Sequence, residues 1–144
     1  MQFLSSIKHA LGLHGCTLAL EEVTAQARSL GELSFRVVLR GGARALRVRE
    51  LDVRLEEERL IHLDPGCGEF GYWTTVVRMV MPLPRMVLAP HASVRVPVLL
   101  PLPELEPSMP LRRYSLLVTA EVPGFNPQTS RLVAVGEPPA LHPA

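Results

Sequence analysis

Apolar side chains recur at every second residue through most of this chain, and glycine or proline cuts the pattern again and again. That arrangement limits the fold to short, half-buried strands. Leu33, Phe35, Val37 and Leu39 alternate with Ser34, Arg36 and Arg40. One face of such a strand meets a core and the other meets water. The same period runs through Cys16, Leu18 and Leu20, through Val94, Val96, Val98 and Leu100, and through Tyr114, Leu116, Val118 and Ala120. Further strands are predicted at residues 74–81 and 130–135. Between them stand Gly41 and Gly42, then Asp64, Pro65, Gly66 and Gly68, then Pro82, Pro84 and Pro90, and finally Pro123, Gly124, Asn126 and Pro127. Residues 101–110 form a proline-rich connection. Short strands separated by turn signals of this kind predict an all-β sandwich of the immunoglobulin-like type.

Three local features refine the expectation. Leu46 and Val48 lie on one phase, and Leu51, Val53 and Leu55 on the other, so the phase slips at Glu50. A β-bulge there would keep both sets on the inner face. Pro97 sits on the outward phase of its strand. Because proline cannot donate to a ladder, residues 94–100 read as an edge, either protected by Pro97 or used for strand addition. Residues 22–30 have helical propensity with Gly31 as a C-cap, and read equally well as a loop.

Phe3, Leu4, Ile7 and Leu11 fall at helical spacing before Gly12. They predict a short amphipathic helix within residues 1–14, either a lid on the sandwich or a partner-binding element. The sandwich is assigned to residues 15–136 and a proline-rich tail to 137–144.

Composition narrows the function. In 144 residues, 47% are hydrophobic, which suffices to fill one core, and only 5% are aromatic, so that core is aliphatic. The net charge of +1 supplies no basic stripe for nucleic acid. No run of lysine or arginine favours an anionic membrane, and no apolar stretch reaches the length of a span. Lys8 is the only lysine and Asn126 the only asparagine. The scarcity of thermolabile amides follows a thermophile trend. Two cysteines, Cys16 and Cys67, cannot build a disulfide framework, and no secretory signal opens the chain. A cytoplasmic, reduced protein is expected.

Several segments in order resemble the arrestin-like sporulation-control family of bacteria. The opening helical pattern leads straight into residues 16–21. Leu30-Gly31-Glu32-Leu33-Ser34-Phe35-Arg36-Val37 looks like that family's turn and second strand, which the pair Gly41-Gly42 ends. Leu88-Ala89-Pro90-His91 and Val94-Arg95-Val96-Pro97-Val98-Leu99-Leu100-Pro101 resemble its loop and proline-containing strand. Tyr114-Ser115-Leu116-Leu117-Val118 looks like its later strand. Asn126-Pro127-Gln128-Thr129 stands where the family tends to have Asp-Pro-x-Asp, so both acids are replaced here. The resemblance implies an arrestin-like sandwich, extended chain rather than helix over residues 22–30, and a regulatory role in sporulation or a related developmental or stress process. Family members tend to have two lobes and this chain matches one, from which a homodimer is expected.

Candidate chemistry is sparse. Gly66-Cys67-Gly68-Glu69-Phe70-Gly71 has the glycine spacing of a dinucleotide loop, but that loop must open a helix, and Trp73-Thr74-Thr75-Val76-Val77 reads as strand. His62, Asp64 and Cys67 could share a metal, yet no second ligand pair completes a closed site. Glu56, Glu57 and Glu58 read as a solvated face. No catalytic residue, cofactor or metal is assigned. Phe70, Tyr72 and Trp73 gather three aromatics in a chain poor in them. They read either as a partner contact patch or as a plug at one end of the sandwich. The expected function is a non-catalytic scaffold or protein-interaction module. A structural homo-oligomer is the first alternative, and a small metal-binding or enzymatic domain using the loop at 62–71 is the second.

Overall fold

The computed structural model describes residues 15–62, 69–110 and 112–136. The helix expected in residues 1–14, the tail at 137–144 and the loop residues Asp64 and Cys67 lie outside them. Every described element is a strand. In chain order they are β1 (Cys16–Glu21), β2 (Gln26–Arg28), β3 (Glu32–Gly41), β4 (Leu46–Arg47), β5 (Glu50–His62), β6 (Glu69–Pro82), β7 (Val87–Leu88), β8 (Ser93–Pro101), β9 (Arg112–Glu121) and β10 (Gln128–Gly136).

Alternation dictates how they pack. Leu33, Phe35, Val37 and Leu39 of β3 are all buried, as are Val96, Val98 and Leu100 of β8. Tyr114, Leu116, Val118 and Ala120 of β9 are buried too, with Leu51, Val53 and Leu55 of β5. These residues form one continuous cluster between a three-stranded sheet, β1-β3-β8, and a five-stranded sheet, β2-β10-β9-β5-β6. Each buried aliphatic side chain contributes about 1.5–3 kcal/mol over its exposed state, which makes this cluster the main source of stability. β4 and β7 form a small two-stranded sheet beside it.

Two expectations need correction or refinement. The phase slip at Glu50 is not a bulge. β4 ends at Arg47 and pairs with β7, whereas β5 starts at Glu50 in the five-stranded sheet. The chain changes ladders at Val48 and Arg49: the Val48 amide donates to Met86, the Arg49 amide to Glu121, and the Arg49 carbonyl accepts from Leu83. A change of sheet turns the inward phase over just as a bulge does. The true irregularity lies further along β5, between Leu55 and Glu56, where Val76 of β6 is the extra residue. Residues 22–30 are extended, as the resemblance implied, and not helical; their middle forms β2, which runs parallel to β10 and buries Ala27.

β8 is an edge strand, as Pro97 suggested, with β3 its only described neighbour. At the β9–β10 turn, the Asn126 side-chain oxygen accepts from the Val122 amide at 3.4 Å. That is an acceptor role an aspartate would also fill.

Candidate functional site

β5 and β6 form a hairpin that runs past the core. Leu51, Val53 and Leu55 of β5 face the core, and Val77, Met79 and Met81 of β6 pack against it. None of residues 56–60 or 71–75 belongs to that cluster. The predicted aromatic residues lie on this extension, in a longer strand than the sequence suggested.

The strand separates them. Tyr72 and Trp73 are consecutive in a regular stretch of β6, so their side chains leave on opposite faces of the sheet. Tyr72 is 42% exposed and Trp73 46% exposed, so neither plugs the sandwich. Phe70 stands opposite Ile61 in the same ladder.

Trp73 and Tyr72 each head a row of charges. On the outer face, Trp73 lies opposite Glu58, and Glu58 opposite Arg113 of β9. Arg113 Nη2 donates to Glu58 Oε2 at 2.6 Å. The Glu58 side chain is only 8% exposed, so it is not the solvated residue its acidic neighbours implied. Gly71 explains the burial: a Cβ there would lie 2.6 Å from Glu58 Oε1, so the carboxylate occupies the space a side chain would fill. A charge-assisted hydrogen bond in such a niche fixes both partners. The result is a flat row of tryptophan, carboxylate and guanidinium held by three strands.

On the other face, Tyr72 lies opposite Arg59, and Arg59 opposite Arg112. Two facing cations repel, and Glu57 relieves this by pairing with Arg59 and approaching Arg112 at 3.9 Å. Glu106 also binds Arg112 at 2.5 Å. The Tyr114 hydroxyl donates to the Glu106 carbonyl at 2.7 Å, and burial pushes its ionisation above the usual tyrosine range. The same device recurs nearer the sheet centre. Arg54 and Arg78 face each other, and Asp52 lies between them, accepting from Arg78 Nη2 at 2.7 Å and from Arg54 Nε at 3.1 Å. The Arg78 hydrogen bonds, reinforced by Arg54, hold Asp52 below the ordinary aspartate range.

Sequence reasoning did not anticipate Glu58 and Arg113. Their signal was present only as a glycine at 71, whose meaning depends on which strand lies beside it. The Cys16 thiol is buried and pushed up to about 11, which leaves it protonated and unreactive at neutral pH. Among the described residues, no three His, Cys, Asp or Glu side chains form a group able to hold a metal. Among them, no helix is long and apolar enough to cross a membrane.

With this geometry established, known proteins give a fold-level match. The chain is similar to Spo0M, the sporulation control protein of Bacillus subtilis, with a TM-score of 0.69 at 15% sequence identity. The match covers 84% of this chain and 49% of that one, so this chain spans about half the length of Spo0M. It is also similar to AvmM, which catalyzes macrocyclization in alchivemycin A biosynthesis, with a TM-score of 0.50 and 13% identity over 90% of this chain and 93% of that one. No family model and no curated protein sequence matches the chain. At these identities the likeness shows a shared fold.

Proposed function

We propose that this chain is a non-catalytic, arrestin-like protein-interaction module of the cytoplasm that regulates sporulation or a related developmental or stress process. The observation that carries this reading is the row Trp73, Glu58, Arg113 on the outer face of the hairpin. A half-exposed tryptophan on a strand, beside a buried carboxylate paired with Arg113, needs little ordering when a partner covers it. The likeness to a sporulation control protein supports the regulatory part. An enzymatic reading draws only on the fold shared with AvmM, and a fold does not carry a function. A structural homo-oligomer is favoured by one observation, the long edge of β6 that no other described strand pairs with.

The test is a pull-down from lysate of the source cell with wild type and Trp73→Ala, both verified as folded by circular dichroism. A protein captured by the wild type and lost by the variant, and recovered when Phe replaces Trp73, supports the module. Equal capture by both removes Trp73 from the interface and this reading with it.

A further inference from the structure

A strand edge with unpaired backbone groups invites a partner strand, and proteins block such edges with proline, charge or brevity. Four strands of the two main sheets end a sheet. β2 has three residues and β1 has six. β8 carries Pro97 within it and Pro101 at its end. β6 runs for fourteen residues with no proline before its last, Pro82, and among the described residues it pairs with β5 alone. The β8 edge considered for strand addition is therefore the protected one, and β6 is the open one.

The sequence of β6 suits pairing with itself. Between Glu69 and Arg78 it has no charge, so no like charges meet in a ladder centred there. Two-fold antiparallel pairing keeps the outer face continuous, so outward residues must face outward residues. Val76 is the extra residue against β5, and it is counted as extra on the other edge as well. A register centred on Trp73 then sets Tyr72 opposite Thr74, Gly71 opposite Thr75 and Phe70 opposite Val77. The next pair is Glu69 opposite Arg78. Unlike charges thus meet at both ends of the ladder, and without the offset at Val76 they would not.

We propose that the free edge of β6 pairs antiparallel with the same edge of a second copy of this chain, in the register that sets Trp73 opposite itself and Glu69 opposite Arg78. The five-stranded sheet becomes a ten-stranded one, and the two Trp73 rows join into one surface. This inference does not rest on the regulatory reading, because it concerns purified protein with no other partner.

Sedimentation equilibrium of the purified full chain is the test. Wild type is expected to dimerise in the micromolar range. Glu69→Arg and Arg78→Glu each turn two attractive pairs into two repulsive ones, and each should weaken dimerisation by about tenfold or more. An equimolar mixture of the two should recover wild-type dimerisation, since the heterodimer restores both attractive pairs. Trp73→Lys faces two cations at the axis and should leave a monomer while keeping every ion pair of the fold, so it decides even if Arg78→Glu does not fold. A wild-type monomer at 100-fold that concentration, or a dimer indifferent to Trp73→Lys and Glu69→Arg, overturns the proposal. Equal lysate capture by wild type and Trp73→Ala, with wild-type dimerisation intact, would instead count against the regulatory reading alone.

Discussion

Gly71 and Glu58 show how one missing side chain shapes a surface. The carboxylate lies in the space of an absent Cβ and meets Arg113 there at 2.6 Å. In Gly71→Ala the new methyl group must push Glu58 away, because 2.6 Å is below any contact a real Cβ makes. The glutamate can swing outward, but it then loses the niche and leaves Arg113 without its partner. The expected loss is about 1–2 kcal/mol, read as a lower melting temperature. Gly71→Ala combined with Glu58→Ala should lose less than the two single losses added together, because once the carboxylate is gone the methyl group crowds only Leu60 Cδ2, at 3.0 Å. Additive losses would mean that Glu58 is not what occupies the site.

At the scale of the element, β5 carries two facing arginine pairs, each quieted by the acid two residues before its own arginine. Asp52 serves Arg54 and Arg78, and Glu57 serves Arg59 and Arg112. Removing Asp52 loses two ion pairs and also exposes a cation–cation contact. Asp52 ionises more readily in the folded chain than in the unfolded one, chiefly through Arg78. The stability it adds is therefore fully present above the ordinary aspartate range and is lost as the pH falls through its lowered folded value. Both arginines are well exposed, so screening holds the effect to about 1 kcal/mol. Asp52→Asn should melt lower than wild type at pH 7, and the gap should narrow as the pH falls below the ordinary aspartate range. A gap unchanged with pH would show that packing, not charge, carries the loss.

Elements also mark where the sequence was legible. β3 and β9 were readable because four consecutive inward positions are apolar in each and turn residues flank both. The ladder change at Val48 and Arg49 was not, because moving to another sheet and inserting a bulge invert the phase identically. The extension of β5 and β6 was hidden because its inward positions carry Glu57, Arg59, Tyr72 and Thr74 once the core has ended. For the site, the division of Tyr72 from Trp73 was implicit in the two-residue period as soon as that stretch was read as strand. The burial of Glu58 was not, because it depends on a glycine thirteen residues away that only the strand register brings alongside.

For the whole molecule, the structure separates a sandwich that folds from a hairpin that reaches. Every residue of the described core lies outside 60–71. Arg59 and Tyr72 are direct partners in the ladder, so the hairpin can be closed there by a two-residue Asn-Gly turn of the type that matches strand twist. The shortened chain keeps the Arg59–Glu57 and Arg112–Glu57 contacts and the Glu58–Arg113 pair, and loses the ladder beyond Arg59 and Tyr72 with the niche that Gly71 provides for Glu58. Its unfolding free energy should fall by no more than about 1–2 kcal/mol, the cost of loosening one paired carboxylate. The same chain no longer contains Glu69, Phe70 or Gly71, so most of the ladder between the two copies is gone, and it should sediment as a monomer where the full chain is a dimer. Collapse of the sandwich would mean that the hairpin tip helps to hold the core. A folded monomer would assign the fold to the two facing sheets and association to the strand that outruns them.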